Sequence, residues 1–538
     1  VYSAALSGVQ TEAGPAYLTP ASILWDVPTT YGDANNTVIR NFDGTYRGPV
    51  SVRGALQNSY NVPAVKTMNF TGTEAFIQTA QAMGLRFLPE AEVNLTSALG
   101  STDVRLYDMM EAYGTISNDG TLAPLYAIEE ITDGAGNVIN WERTPPSRAI
   151  SEPTAFLLQN IMSDDQARIP AFGANNRLAF NNFPGQVAAK TGTSNDGIDL
   201  WTMGFTDNVV VGVWLGHVDN NPTFNTSGYL TASPLWRTIM ENVLANTTAP
   251  TPWDTPANVV QTQFCATTGT QVDPTGAIPC NDVRTGFFTA GQLPPPANEG
   301  YIRDQSVYTW TGQAASSFCP NDVESFRVLA PDDPTATAWL TGNQSGQQFV
   351  QSLGLQNAIV GNVESACDAN TQLLSAGITG PQGGSVVTSP QVQIQGNISS
   401  APNFQSYDIQ VASANAPDQF QIVDGPYTTL PTGPTLGTWD ASNAADGAYI
   451  IRVGINSSAG APFGYAYRTV EFTLDKPEPT PTPTPPPIPT APPIGGVPGG
   501  GTATDGTTPP TPTLIPFDSG GTTFGGQAGP TPTIDFSG

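Results

Sequence analysis

Two short constellations carry the chemistry legible in these 538 residues. They are Ser59-Tyr60-Asn61 and Lys190-Thr191-Gly192-Thr193. A lysine among hydroxyl residues on an extended strand suits a ligand ending in a carboxylate, since an ammonium and O–H donors can hold the anion. A peptide backbone can pair with the same strand edge. A backbone N–H near Thr193 can serve an oxyanion, an interaction worth about 10²–10³ in rate per donor. Ser59 can relay a proton to a leaving amine, and Asn61 can orient a partner lysine and a substrate amide. These groups would suit acyl transfer, which requires a nucleophile with its own base. No Ser-x-x-Lys exists to supply one: the lysines are Lys66, Lys190 and Lys476, preceded at three residues by Pro63, Val187 and Thr473.

The two constellations differ in weight. Ser-x-Asn recurs at Ser413-Ala414-Asn415, and its bland reading is a polar turn between helices. With so few lysines, about 0.03–0.04 Lys-Thr-Gly tripeptides are expected by chance, so this one carries more information than a strand ending at a glycine turn. His217 is read as structural, and Asp164-Asp165 as a solvent-facing pair at a helix end.

The elements that must position these residues read as mixed α/β over 1–250. Ser51 caps a short helix through Asn58, and Pro63 restricts the chain beyond Asn61. Helical periodicity places Phe76, Ile77, Ala80 and Met83 on one face of Thr73 to Met83, with Gly84 as the stop. Asp103 to Ser117 repeats the pattern. Alternation over Leu125 to Ile131 and Val138 to Trp141, about the turn Asp133-Gly134, predicts a hairpin. Ser151 and Pro153 open a helix to Met162. Three strands follow, Gln186 to Thr191, Leu200 to Phe205 and Val209 to His217, the last two antiparallel across a short turn. Ser233-Pro234 caps a final helix to Leu244. This order predicts an α+β domain, an antiparallel sheet covered by helices. Residues 251–376 read as an irregular connector, and 377–475 as an all-β sandwich of short alternating segments. The Pro/Thr/Gly-rich tail 476–538 is expected to be disordered.

Composition narrows the function classes. Formal charge is −27, yet only 12% of residues are charged and 18 are basic. So few cations cannot form a phosphate-binding stripe, which argues strongly against nucleic acid and disfavours anionic lipid. Cys265, Cys280, Cys319 and Cys367 form no Cys-x-x-Cys, and His217 is distant, which argues against a zinc site; no metal or cofactor is expected. An even cysteine count in a Thr/Asn/Pro-rich chain favours disulfides, and an extracytoplasmic location, over free buried thiols. No run of about 18 apolar residues is present.

Longer stretches carry a definite resemblance. Thr19 to Thr29, Gly48-Pro-Val-Ser-Val-Arg-Gly-Ala-Leu-Gln-Asn-Ser-Tyr-Asn-Val-Pro-Ala-Val-Lys66, Ala188 to Asn195 and Gly212-Val-Trp-Leu-Gly216 make residues 18–250 resemble the transpeptidase domain of a class A, bifunctional penicillin-binding protein. The resemblance implies a serine transpeptidase/β-lactamase-like fold and attack on the D-Ala-D-Ala end of peptidoglycan stem peptides. It further implies transfer to a neighbouring amine and covalent inhibition by β-lactams, at the bacterial cell envelope. Ser59, Asn61 and Lys190 would be catalytic, and Thr191, Gly192 and Thr193 substrate-binding. Thr379 to Asp475 is similar to the Ig-like sandwich appended to some of these proteins, with wall or partner contact as its implied role. Resemblance of the cysteine-bearing connector implies a Cys265–Cys280 bridge, accompanied by Cys319–Cys367. The family's Gly-Ser-x-x-Lys-Pro is expected a few residues before Val1, with a glycosyltransferase domain and membrane anchor further upstream. The 538 residues alone are therefore expected to be inactive. The alternatives are a non-catalytic wall-binding surface protein with a degenerate transpeptidase module, and a β-lactamase, against which the appended modules count.

Overall fold

The computed structural model describes residues 1–12, 14–31, 37–194, 197–223 and 226–478. The chain divides into Val1–Pro477 and Glu478–Gly538. The expected disorder of the tail falls, from residue 479, outside the described residues.

The first 250 residues are built round three antiparallel strands: β3 (Ala188–Thr193), β4 (Asp199–Phe205) and β5 (Val210–Gly216). They follow β1 (Ile23–Asp26) and β2 (Gly48–Ser51), which pair with each other. Strand β4 is central, and β3 pairs with it alone among the described residues, so one edge of β3 is free. Both faces of the sheet are covered. On one, α7 (Ala232–Asn246) lays Trp236, Met240 and Leu244 against Ala189, Val211 and Val213. Gly204 admits that helix: a Cβ there would lie 2.2 Å from the Trp236 ring. On the other, α5 (Leu106–Ser117) and α6 (Glu152–Met162) pack Ile116, Ala155, Leu158 and Ile161 against Ala188 and Phe205. Burial of neighbouring residues on both faces explains why β3 reads as the apolar run Val187-Ala188-Ala189 rather than as an alternation.

Helices α1 (Tyr2–Ser7), α2 (Val52–Gln57), α3 (Asn61–Thr71) and α4 (Thr73–Ala82) complete this part. Ser51 caps α2 by accepting from Gly54 N at 3.1 Å. Pro63 sits in the first turn of α3, where its missing N–H has no intrahelical acceptor to lose. The helix expected from Asp103 begins at Leu106.

Four expectations are corrected. Residues 125–141 form no hairpin, only a Thr132–Val138 bridge, because Leu125, Tyr126, Ile128, Val138 and Ile139 find no core and stay exposed. Ser233 does not cap α7, which starts at Ala232; its hydroxyl lies 3.0 Å from that of Thr202. Asp164 and Asp165 are half-buried and pair with Arg53 and Arg168, each at 3.0 Å. Residues 251–376 are not irregular. They hold a hairpin of β6 (Val259–Cys265) and β7 (Val283–Thr289), and a five-stranded sheet about the pair β8 (Ile302–Tyr308) and β9 (Val323–Leu329). Helices α8 (Pro334–Gly342) and α9 (Gln344–Ser352) cover that sheet.

This middle segment shares a core with the first. Trp25 of β1 meets Tyr301 edge-on at 4.9 Å and lies near Trp339 and Phe349. Gly48, at φ +72°, leaves the space that the Trp339 ring fills. Lys66 pairs with Asp333, which caps α8. The bridges are Cys265–Cys280 and Cys319–Cys367, with Cα–Cα separations of 5.7 and 6.1 Å.

Beyond them come β10 (Ser375–Gly380), β11 (Val386–Val387), β12 (Gln391–Ser400), β13 (Phe404–Ser413), β14 (Gln421–Tyr427), β15 (Thr435–Asp440), β16 (Gly447–Ser457) and β17 (Tyr465–Leu474). They form sheets ordered β10-β12-β15 and β11-β17-β16-β13-β14. One apolar core joins both sheets, with Tyr308 and Trp310 of the middle segment added to it. Among the described residues no helix is long and apolar enough to cross a membrane.

Candidate active site

The residues singled out by type and spacing meet in one cleft of about 410 Å³ between the end of α2 and the free edge of β3. A larger hollow of about 560 Å³ lies between Tyr17–Ser22 and Pro294–Pro296, but Tyr17 and Glu299 are its only ionisable groups. The residues singled out by type and spacing line the smaller one.

Ser59 owes its place to how α2 stops. Tyr60 N donates to Ala55 O at 3.1 Å and Ser59 N to Leu56 O at 3.3 Å, the paired bonds of a left-handed helix terminus. Ser59 takes the left-handed position, φ +57°, which glycine usually fills. Strain of this kind costs of order 1–3 kcal/mol and concentrates at functional sites. The terminus is held from behind by Asn58, whose amide donates to Gly54 O and Ala167 O.

Lys190 reaches Ser59 across the cleft: Nζ donates to Ser59 Oγ at 2.6 Å and to Thr191 O at 2.7 Å. Because Ser59 Oγ accepts from the ammonium, its own proton must point elsewhere, as a relay requires. Burial, and then repulsion from Arg168, holds the Lys190 pKa down at about 8. Gly192 packs its Cα over Trp201, where a Cβ would come within 3.2 Å. Thr193 Oγ1 accepts from Gly228 N at 3.0 Å, which frees its hydroxyl proton for an incoming acceptor. Thr191 and Thr193 both line the cleft. Asn61, the first residue of α3, donates through Nδ2 to Arg40 O at 2.8 Å, leaving Oδ1 as an acceptor.

The stretch 22–241 matches the family described as penicillin binding protein transpeptidase domain. Among curated relatives, the chain is 29% identical over 345 residues to Penicillin-binding protein 1A of Clostridium botulinum, covering 62% of this chain and 40% of the relative. It is 29% identical over 309 residues to Penicillin-binding protein 1C of Escherichia coli, covering 56% and 37%. The chain thus spans about two fifths of the length of these relatives. A crystal structure of Penicillin-Binding Protein 1A from Haemophilus influenzae aligns with 23% identity and a TM-score of 0.45, covering 55% of this chain and 47% of that one.

Two supports of the cleft have no local signal in the sequence. The first stands behind Asn61. Asn41, buried, donates to both oxygens of the fully buried Asp26 at 2.7 and 2.8 Å and accepts from Asn61 N at 2.9 Å. Asp26 is pushed upward by burial, which Asn41 and the nearby Arg47 oppose. The second is Arg168, fully buried beneath β3, where Nη2 donates to Met162 O and Nη1 pairs with Asp165. Its fixed charge bears on Lys190 from behind. His217 is exposed at the end of β5, away from these groups.

Proposed function

We propose that residues 1–250 act as a peptidoglycan D,D-transpeptidase module that cross-links stem peptides in the bacterial cell envelope. The observation that carries the reading is the 2.6 Å bond from Lys190 Nζ to Ser59 Oγ beside the free edge of β3. On this reading a stem peptide pairs with that edge and its terminal carboxylate meets Lys190, Thr191 and Thr193, with Gly192 keeping the strand flat. Ser59 passes a proton to the departing D-alanine amine, and Asn61 orients the amide under attack. β-Lactams, which mimic D-Ala-D-Ala, occupy the same place. Residues 251–376 brace the module, and 377–475 contact the wall or a partner. Relatives named 1A and 1C support a class A, bifunctional whole protein.

A Ser-x-x-Lys nucleophile is lacking in the 538 residues, and removal of the nucleophile in a comparable serine enzyme costs on the order of 10⁶ in kcat. The same lack favours the second reading, a wall-binding module without catalysis. Fluorescent penicillin separates the two. A chain carrying a Ser-x-x-Lys ahead of Val1 should be labelled covalently and the 538-residue chain should not. Failure of the extended chain to label would leave the wall-binding reading, and labelling of the 538-residue chain would place the nucleophile elsewhere.

A further inference from the structure

A second cluster, unused by acyl transfer, lies on the outer face of the five-stranded sheet between Val386 and Leu474. Tyr407, Ile409 and Val411 of β13 stand opposite Ile455, Val453 and Ile451 of β16, and all are buried in the core. Residues between them face outward. One outward row across β13, β16 and β17 is Asp408, Gly454 and Tyr467; the next is Gln410, Arg452 and Thr469. Gly454 lets the Asp408 and Gln410 side chains lie over the first row, since a Cβ there would come within 3.0 Å of Asp408 Oδ1 and 2.9 Å of Gln410 Nε2. Asp408 is 7% exposed although it lies on the outer face. Gln410 Nε2 donates to Asp408 Oδ1 at 2.6 Å, and Arg452 Nε donates to Gln410 Oε1 at 2.8 Å. The Arg452 guanidinium lies 3.6 Å over the Phe420 ring and 4.5 Å over the Tyr467 ring. Tyr465 stands 5.4 Å beyond Tyr467, which remains 42% exposed.

We propose that this face binds a neutral polysaccharide, with one sugar resting against the exposed part of Tyr467 and its hydroxyls donating to Asp408 where that carboxylate lies over Gly454. Charge decides the ligand class. Arg452 and Asp408 are joined through Gln410 and cancel, so the face offers no net attraction to an ion. Arg452 would repel an amine, and the formal charge of −27 opposes an anion. What remains is a polar acceptor set beside an aromatic ring with an apolar body, which suits a molecule with C–H and O–H faces. Stacking between Phe420 and Tyr467 fixes Arg452 and the ring beforehand, which lowers the ordering cost of binding.

The test is affinity electrophoresis of the 538-residue chain through gels containing hydroxyethyl chitin or hydroxyethyl cellulose, both neutral and free of peptide. Retardation by either is expected. Tyr467→Ala and Asp408→Asn should each weaken it by about tenfold, while Lys190→Ala should leave it unchanged. Tyr467 is exposed and Asp408→Asn is isosteric, so both variants should keep the parent's melting temperature. No retardation by either polymer, retardation only by an anionic polymer, or retardation that survives both substitutions would overturn the proposal.

Discussion

Ser59 stands where a helix terminus prefers glycine, so its side chain and its backbone make opposite demands. Ser59→Gly should hold or raise the denaturation midpoint, by up to about 1 kcal/mol. In a chain bearing Ser-x-x-Lys it should slow penicillin acylation by about 10²–10⁴, the usual worth of a positioned acid or base. Ser59→Ala should lose the same activity without gaining stability, because alanine keeps the left-handed strain. Lys190 sets a pH limit. With its pKa held at about 8, the ammonium is present below pH 8 and lost above, so affinity for a carboxylate ligand should fall as pH rises through 8. The stability effect has the opposite sense: between pH 8 and the ordinary lysine range an unfolded chain binds the extra proton, so stability should rise with pH there. With three lysines in the chain, isotope-labelled lysine signals can be followed singly by NMR. Arg168→Met should move the Lys190 midpoint upward, and an unmoved midpoint would remove Arg168 from its causes. Ser59, Asn61 and Lys190, which meet in the cleft, could be singled out because each lies in a contiguous triplet. Asp26, Asn41 and Arg168 could not, since their partners are remote in sequence and a lone Asp, Asn or Arg has no pattern.

At the scale of elements, periodicity succeeded wherever it met a core. Helices α2, α4, α5 and α6 and strands β3, β4 and β5 lie within a few residues of their expected ranges. The alternating stretch over 125–141 failed because alternation records a strand only if one side is buried, and here both sides meet water. The middle segment was missed for the converse reason: Gly, Pro and turn residues fill the stretches between β6 and β9, while long-range pairing and two bridges supply the order. The close contact of Gly204 with Trp236 gives a check on the sheet itself. Trp236→Ala should cost about 3–5 kcal/mol, and Gly204→Val should destabilise comparably by forcing α7 off β4. Thermal and chemical denaturation would measure both, and a loss below about 1 kcal/mol would contradict the packing.

Across the molecule, residues 1–250 do not close their own core. Trp25 and Gly48 are covered by Tyr301, Trp339 and Phe349, and Lys66 is matched by Asp333. Residues 1–250 expressed alone should therefore melt several degrees lower than residues 1–477 and aggregate, and Trp339→Ala in the full chain should reproduce part of that loss, about 3–5 kcal/mol. Equal melting of the two lengths would show the middle segment to be dispensable. The seam at Gly48 also has a mechanical meaning. Packed interiors transmit strain, and an unbroken series of contacts runs from the outer sandwich through Trp310 and β8 to Tyr301, Trp25 and β2, whose last residue, Ser51, caps the helix whose terminus places Ser59. Tension on the sandwich would therefore be felt at the cleft as a load on α2, so that a pull applied at one end of the chain changes the helix terminus at the other.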